Sequence, residues 1–188
     1  MNTSWKRQHL RAPVYSKLIF TENSQVRSGI CENVSEGGIF FKANSSIKEN
    51  DVFSLMFLLI TYPDLYSKTR QELFSLTRKT LVSSVLRGKV VVRRRVDSVN
   101  SKEGPGFGCK FVNITTNENQ AINQYVKSYA RNIVFILNLF EGMSTNNDNV
   151  NLIRSLTRFL GYPIDIKMPF LRQKLLHDYQ SLESNLRI

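Results

Sequence analysis

The fold of this chain is indicated by the stretch Val26-Arg27-Ser28-Gly29-Ile30-Cys31-Glu32-Asn33-Val34-Ser35-Glu36-Gly37-Gly38-Ile39-Phe40-Phe41. Residues 26–33 have the composition of a β-strand, and so do residues 39–41. The pair Gly37-Gly38 between them is typical of a turn. The order Asn-x-Ser-x-x-Gly, which occurs once in the chain, lies at this turn. We therefore expect two strands joined by a short turn that carries polar side chains.

Further strands are expected on both sides of this stretch. The composition predicts them at residues 14–20, 51–60, 81–99 and 107–114, with a turn-forming sequence at 100–106. Short strands separated by turns, without alternating helices, are typical of a small antiparallel barrel or sandwich. Residues 62–79 interrupt the pattern and are compatible with a short helix or with an extended excursion.

Helical periodicity begins near residue 116. Asn117 and Gln120 have the spacing of a capping box, and the apolar phase continues to Phe140. Two more amphipathic helices are predicted after a polar linker at residues 144–149. Their apolar stripes are Val150/Ile153/Leu156/Leu160 and Leu171/Leu175/Tyr179/Leu182/Leu186, and Pro169 suits the first turn of the last helix. These stripes either fold back on the β module or pair with another copy or a target protein.

The charge of the chain is uneven. Its formal net charge is +11, and residues 61–102 hold ten basic and three acidic residues, an excess of +7. This segment is either a solvated basic face or a surface that attracts a phosphorylated ligand. Because alternate strand residues face opposite sides, at most one or two of Arg93, Arg94 and Arg95 are expected to reach a ligand.

The composition also excludes several classes of protein. No apolar run approaches the roughly 20 residues that a membrane span requires, and residues 1–6 have no apolar segment typical of a signal peptide. Cys31 and Cys109 have no second cysteine or histidine nearby, so we expect structural roles and no metal site. His9 and His177 are far apart in sequence and lack a ligand set. These features favour a protein of the reducing cytoplasm.

A second motif precedes the first strand. Arg7-Gln8-His9-Leu10-Arg11 has the form RxxxR, and it stands upstream of Asn33-Val34-Ser35-Glu36-Gly37-Gly38. Together the two motifs resemble the signature of PilZ domains, and residues 88–91 and 106–112 look like later strands of that family. The resemblance covers roughly residues 5–130. It implies a six-stranded antiparallel barrel followed by a helix, so we expect a ligand-binding module at residues 1–131 and an α-helical extension at residues 132–188.

The resemblance also implies a ligand, the bacterial second messenger cyclic di-GMP. Guanine presents O6 and N7 as acceptors, which match the bidentate fork of arginine. Arg7 and Arg11 are therefore expected to bind guanine edges and phosphates from a mobile arm. In this family the residue before RxxxR influences whether one ligand or a stacked pair binds. Here Lys6 can cap a guanine face, which favours two ligands.

The Asn-x-Ser-x-x-Gly turn is expected to complete the site. Asn33 can accept a hydrogen bond from guanine through its amide oxygen, although many family members have aspartate there. Ser35 adds a small donor and acceptor. Gly38 is expected to let the backbone turn tightly where a side chain would block the ligand. A second RxxxR match, Arg154 to Arg158, lies on a predicted helix, where a solvated face is the simplest interpretation.

The predicted function is therefore that of a cyclic di-GMP receptor in the bacterial cytoplasm. Ligand binding would reorder the arm and change the surface seen by a protein partner, or the self-association of the C-terminal helices. One alternative is a degenerate PilZ scaffold that binds proteins without ligand. Another is a basic nucleic-acid-binding barrel, which is disfavoured because residues 61–102 lack regular aromatic residues for stacking. No nucleophile–base set or metal cluster indicates an enzyme.

Overall fold

The computed structural model of the protein describes residues 9–97, 103–142 and 147–183. Packing divides them into two compact units. The first contains the described residues up to Thr61 together with those from Ser83 to Val126. The second contains Tyr62–Val82 and the described residues from Lys127 onward. This division rests on packing and does not test the expected functional division after residue 131, which stays a prediction.

Six antiparallel strands form the first unit, and each overlaps a strand predicted from the sequence. They are β1 (Ala12–Glu22), β2 (Gln25–Ser35), β3 (Gly38–Lys42), β4 (Val52–Thr61), β5 (Val82–Val96) and β6 (Gly106–Asn113). Their spatial order is β1-β2-β3-β6-β5-β4, with hydrogen bonds between neighbours. The first and last strands of this order are also paired, since Leu18 lies opposite Phe57.

A tight hairpin joins β1 to β2. Glu22 pairs with Gln25, and the two residues between them, Asn23 and Ser24, have φ angles of 50° and 63°. Positive φ at both central residues is the geometry that matches the twist of the flanking strands. The carboxylate of Glu22 also accepts hydrogen bonds from the side chains of Ser45 and Ser46, at 2.8 and 2.9 Å.

Side chains that alternate along the strands fill the interior of the first unit. On β4, Phe53, Leu55, Phe57 and Leu59 are buried while the residues between them face outward. Four phenylalanine rings from different strands pack in tilted and edge-to-face arrangements with centroids 5.3–6.1 Å apart: Phe20, Phe41, Phe53 and Phe107. Such arrangements suit the quadrupoles of aromatic rings. Along β1, β3 and β4 the core is therefore built largely from one residue in two.

Four α-helices accompany the strands. Three match the predicted ones, α2 (Thr116–Glu141), α3 (Asn147–Leu160) and α4 (Met168–Glu183). A fourth, α1 (Arg70–Ser75), lies in the segment for which the sequence left two possibilities open, between 3-10 turns at Leu65–Ser67 and Arg78–Thr80. None of the helices within the described ranges is both long and apolar enough to cross a membrane.

The capping box of α2 is not the predicted one. Thr115 and Glu118 form it, since the Thr115 backbone N–H donates to the Glu118 carboxylate (3.0 Å) and the Glu118 N–H donates to Thr115 Oγ1 (3.3 Å). The prediction of Asn117 and Gln120 was wrong by two residues. Threonine accepts the hydrogen bond here with the same spacing as asparagine, and the sequence offered both pairs.

Most members of the predicted apolar stripes of α3 and α4 are buried in the second unit, whereas Val150 and Tyr179 are half-buried. The fully buried members include Ile153, Leu156, Leu171 and Leu175, and Leu186 lies outside the described residues. Residues 62–82 contribute to the same core: the Tyr62 ring packs edge-on against Phe159 at 5.7 Å between centroids. The buried side chain of Asn132 accepts from the Leu65 N–H (3.1 Å) and donates to the Pro63 carbonyl (2.9 Å). A buried amide satisfied in this way fixes the segment on α2.

Candidate ligand-binding site

The Asn-x-Ser-x-x-Gly sequence forms the connection between β2 and β3. Asn33 and Ser35 belong to the end of β2, and Gly38 begins β3 opposite Ser35. The register between the two strands shifts between Cys31 and Asn33, which leaves Glu32 as an extra residue. Bulges of this kind re-aim side chains and are frequent beside functional sites.

The Glu32 side chain at this bulge forms an ion pair with a lysine on the neighbouring strand. Its carboxylate lies 2.5 Å from the Lys42 ammonium on β3, and Glu103 lies 3.7 Å from the same group. The hydrogen bond that Lys42 donates to Glu32 raises the pKa of Lys42, so the lysine stays charged at neutral pH. Lys42 is thus neutralised locally and adds little attraction for an anion.

Ser35 holds the turn together from inside. Its side chain is buried, and its hydroxyl donates to the Gly38 carbonyl at 3.2 Å. The Gly37 carbonyl accepts from the Phe111 N–H on β6, also at 3.2 Å. The hydroxyl of Ser35 therefore shapes the turn, and it keeps acceptor capacity for a ligand.

Gly38 is required by strand packing. A Cβ atom at this position would lie 2.0 Å from the Cys109 carbonyl oxygen on β6, well inside any real contact distance. Gly38 is not among the glycines with positive φ. A backbone carbonyl cannot move aside without disturbing the β3–β6 pairing, so close approach of two strands explains the glycine directly.

Asn33 keeps its side chain available. The residue is half-buried, and within the described parts of the chain its side-chain amide makes no hydrogen bond. An amide has two donors and an acceptor with two lone pairs. Asn33 can therefore offer a full set of hydrogen bonds to a bound group at the outer face of the sheet.

The N-terminal arm approaches this turn at His9, the central residue of the RxxxR sequence. Its Nδ1 lies 3.2 Å from a carboxylate oxygen of Glu36. The His9 ring also lies against Gly37, where a Cβ would come within 2.7 Å of ring carbon Cδ2. Arg11 is exposed and precedes β1 directly, whereas the predicted residues Lys6 and Arg7 lie outside the described residues.

One row of residues across the sheet extends the site beyond the predicted set. Asn33 lies opposite Phe40, Phe40 opposite Gly108, and Gly108 opposite Arg94. Directly opposed residues share a face of the sheet. Phe40 stands between the buried Ile39 and Phe41, so this face is the outer one.

Two glycines of β6, Gly106 and Gly108, leave space for the side chains of this row. Atom Cζ of Phe40 lies 2.5 Å from where a Cβ of Gly106 would be, and Arg94 Nε lies 3.6 Å from the corresponding point at Gly108. The ring and the guanidinium thus lie across β6 beside Asn33. No local sequence pattern marks Phe40 or sets Arg94 apart from its neighbours, because their places in this row depend on strand register.

The other arginines of the cluster have different surroundings. Arg95 is bound to Asp97 at 2.8 Å and donates to the Ile47 carbonyl at 3.3 Å. Arg93 falls where the β5–β6 register shifts, between Val92 and Arg94. The basic segment 61–102 is also divided between units, since residues 62–82 pack in the second. Its charge is therefore not the property of one unit.

The cysteines are buried within the first unit, as their expected structural role requires. Burial raises the pKa of the Cys109 thiol to about 12 and also raises the pKa of Cys31. Both are therefore protonated at neutral pH and weak as nucleophiles or metal ligands. Among the described residues, no group of three or more His, Cys, Asp or Glu side chains is arranged to hold a metal ion.

A separate concave surface of about 580 Å³ lies in the first unit without any predicted site residue. It is lined at one side by Ile19, Val26 and Met56 and at the other by Arg87 and Lys89. Val26 lies near the start of β2 and Ser35 ends it, nine residues away, or about 30 Å along an extended strand. The motif surface is therefore distinct from this pocket.

Comparison with known families decides which fold family this arrangement represents. The family model for the PilZ domain matches residues 6–128, which include both motifs and all six strands. The chain belongs to the PilZ family. The resemblance noted in the sequence is thereby confirmed. The PilZ match also spans residues 62–82, which pack with the second unit.

Solved PilZ structures are similar to this chain at low identity. The Bacillus subtilis inhibitor of motility (MotI/DgrA) has 18% identity and a TM-score of 0.47, and the match covers 64% of this chain and 49% of that one. The PilZ domain of YcgR from Escherichia coli, solved with c-di-GMP, has 11% identity and a TM-score of 0.44. The match covers 67% of this chain and 92% of that one. The K. pneumonia MrkH–c-di-GMP complex has 10% identity and a TM-score of 0.41, and the match covers 74% of this chain and 55% of that one.

The chain therefore spans about half the length of the B. subtilis protein that it matches. Among curated proteins, no sequence matches this chain.

Proposed function

We propose that this PilZ protein is a receptor for cyclic di-GMP and not an enzyme, with Arg7, Arg11, Asn33, Ser35, Gly38 and Lys6 as its binding residues. The observation that carries the proposal is the contact of His9 with Glu36 and Gly37. Through it, the arm with RxxxR meets the turn with Asn-x-Ser-x-x-Gly. This contact supports a site to which both halves of the family signature contribute.

The chemistry of the ligand suits this surface. Cyclic di-GMP carries two phosphates and two guanines, and arginine forks bind both kinds of group. Asn33 has an unused amide for a guanine edge. Ser35 and Gly38 contribute by fixing the turn, through the hydroxyl bond to the Gly38 carbonyl and the close approach to Cys109. Lys6 precedes the arm motif and favours a stacked pair of ligands.

Calorimetric titration of the full chain with cyclic di-GMP tests the proposal. We expect a dissociation constant in the micromolar range or below. Cyclic di-AMP is the matched control, because adenine presents an amino donor where guanine presents the O6 acceptor that arginine requires. Equal binding of the two dinucleotides, or no binding of either, would show that this surface is not a guanine site.

We infer that Phe40 provides a stacking surface for one base. Its ring reaches over Gly106 on the outer face of the sheet, in the same row as Asn33 and Arg94. Base–aromatic stacking is worth roughly 1–3 kcal/mol per base. The ring is half-buried, so only part of this interaction is available to a ligand.

Replacing Phe40 by alanine should therefore weaken cyclic di-GMP binding about fivefold, the lower end of the stacking range. Phe40→Trp should restore binding, because any flat ring can stack. Phe74→Ala, which removes an exposed ring from the second unit, is the matched control and should leave affinity unchanged. Calorimetry on variants with unchanged melting temperatures measures the effect; loss of binding in Phe40→Trp as well would contradict stacking.

We also infer that the six strands close into the predicted PilZ-type barrel. The inference is supported by the pairing of β1 with β4 and by backbone hydrogen bonds between the start of β4 and β5. The Asn50 N–H donates to the Val92 carbonyl (2.9 Å), and the Val92 N–H donates to the Asp51 carbonyl (3.0 Å). A barrel leaves no open strand edge, so the outer face is the surface available for a ligand.

The output of the receptor is proposed to involve the helical extension at residues 132–188, in the cytoplasm. Ligand binding would reorder the arm and alter contact with an unidentified protein partner or a second copy. The buried apolar stripes are already occupied within the chain. Exposed residues of the second unit that could serve instead are Tyr66, Phe74, Ile164 and Phe170.

A further inference from the structure

Glu36, which the family signature leaves unspecified, has an unusual position in this site. It lies in the turn between Ser35 and Gly38, and its carboxylate has partners on two different elements. One oxygen lies 3.2 Å from His9 Nδ1 on the arm. The other accepts a hydrogen bond from the side-chain amide of Asn123 on α2.

Neither partner of the Glu36 carboxylate belongs to a β-strand. His9 precedes β1, and Asn123 lies in the second turn of α2. The helix is attached to the same region at a second point, since the Tyr125 hydroxyl donates to the Pro13 carbonyl at 2.5 Å. Pro13 follows Arg11 by two residues, so α2 contacts both the turn and the start of β1 just after the arm.

The Glu36 carboxylate is half-exposed, with 34% of its side chain accessible, and His9 is accessible to 41%. An ion pair or hydrogen bond at that exposure adds little to folding stability. Its effect is on geometry: it holds the arm at the residue midway between Arg7 and Arg11. Fixing a ligand-binding arm in advance lowers the ordering cost of binding.

We propose that Glu36 is a positioning residue that holds the arm through His9 while Asn123 of α2 holds Glu36, so that ligand affinity and the environment of α2 are coupled. This inference rests on the proposed cyclic di-GMP function. A ligand that orders the arm would strengthen the His9–Glu36 contact and, through the shared carboxylate, alter the Asn123 hydrogen bond. The ligand and α2 are then connected through the Glu36 carboxylate, which contacts His9 on the arm and Asn123 on the helix.

A double-mutant cycle on His9 and Glu36 tests the positioning role by calorimetry with cyclic di-GMP. Each of His9→Ala and Glu36→Ala should weaken binding about three- to fivefold, the effect of losing one partly exposed side-chain contact. The double variant should be no weaker than Glu36→Ala, because both changes remove the same contact. Glu36→Gln keeps an acceptor for Asn123 and should stay within about twofold of wild type.

Two controls separate positioning from charge and folding. Glu141→Ala changes the net charge equally, removing a carboxylate bound to Arg172, and should leave affinity unchanged. Asn123→Ala should weaken binding about twofold while the exposed neighbour Gln124→Ala should not. Melting temperatures of all variants should stay close to wild type; affinity losses that are additive in the cycle would overturn the proposal.

A ligand-free measurement distinguishes this proposal from the proposed function. In ¹⁵N spectra without nucleotide, His9→Ala should shift the side-chain amide resonances of Asn123, since they share the Glu36 carboxylate. If wild type does not bind cyclic di-GMP, the proposed function fails, and the spectra alone decide whether the arm is held through Glu36. Unshifted Asn123 resonances in His9→Ala, or wild-type affinity in Glu36→Ala, would each overturn the positioning role.

Discussion

Replacing Arg11 by alanine is expected to weaken cyclic di-GMP binding at least tenfold. A charged hydrogen-bonding contact is worth roughly 1.5–3 kcal/mol, and an arginine that binds both a guanine edge and a phosphate makes more than one. The same loss is expected for Arg7→Ala. Arg11→Lys should recover little, because lysine keeps the charge but lacks the planar fork. Calorimetry on each variant measures the change.

The second RxxxR sequence supplies the control, although its two arginines are not equivalent. Arg158 is exposed on α3, and Arg158→Ala should bind like wild type. Arg154 donates to the Ile164 and Ile166 carbonyls, so the expectation that it only forms a solvated face was wrong, and its removal is expected to destabilise the segment before α4. An equal affinity loss in Arg11→Ala and Arg158→Ala would refute the assignment of the arm as the site.

Gly38→Ala is expected to lower the free energy of unfolding by about 3 kcal/mol, at the upper end of the usual cost of overpacking. The added Cβ would stand 2.0 Å from the Cys109 carbonyl oxygen, and both strands would have to separate. For a chain of this size the melting temperature should fall by about 6–12 °C. Thermal and urea unfolding of the ligand-free protein measure the effect.

Gly108→Ala is the matched control on the strand beside Gly38. Its Cβ would meet the Arg94 side chain at 3.6 Å, an ordinary contact, so the cost should stay below about 1 kcal/mol. The comparison also separates two roles for Gly38. Loss of cyclic di-GMP binding without loss of stability would favour the role expected from the sequence, in which the glycine makes room for the ligand.

Local sequence patterns predicted most of the secondary structure. All six strands and three of the helices lie where alternation, helical periodicity and turn residues placed them. The turn at Gly37-Gly38 was recognised because close backbone approach restricts the residues that can occupy it. The PilZ family was also recognisable, since its two motifs are each contiguous in sequence.

Residues 62–82 show where such patterns were insufficient. Their helix is only six residues long, α1 (Arg70–Ser75), and an isolated helix of that length is not stable without packing. Tyr62 and Leu65 acquire their roles from Phe159 and Asn132, which lie far along the chain. No local periodicity encodes a partner of that kind, so the choice between helix and excursion stayed open.

By itself the sequence determined the elements, the family and the motif residues Arg11, Asn33 and Ser35, because each depends on neighbours within a few positions. The tertiary structure alone decided which residues meet. It set Phe40 and Arg94 on either side of Gly108, brought Gly38 against the Cys109 carbonyl, and joined His9 to Asn123 through Glu36. These contacts depend on strand register and on the docking of α2. Register follows from the burial of one whole face of each strand, a property of the assembled core.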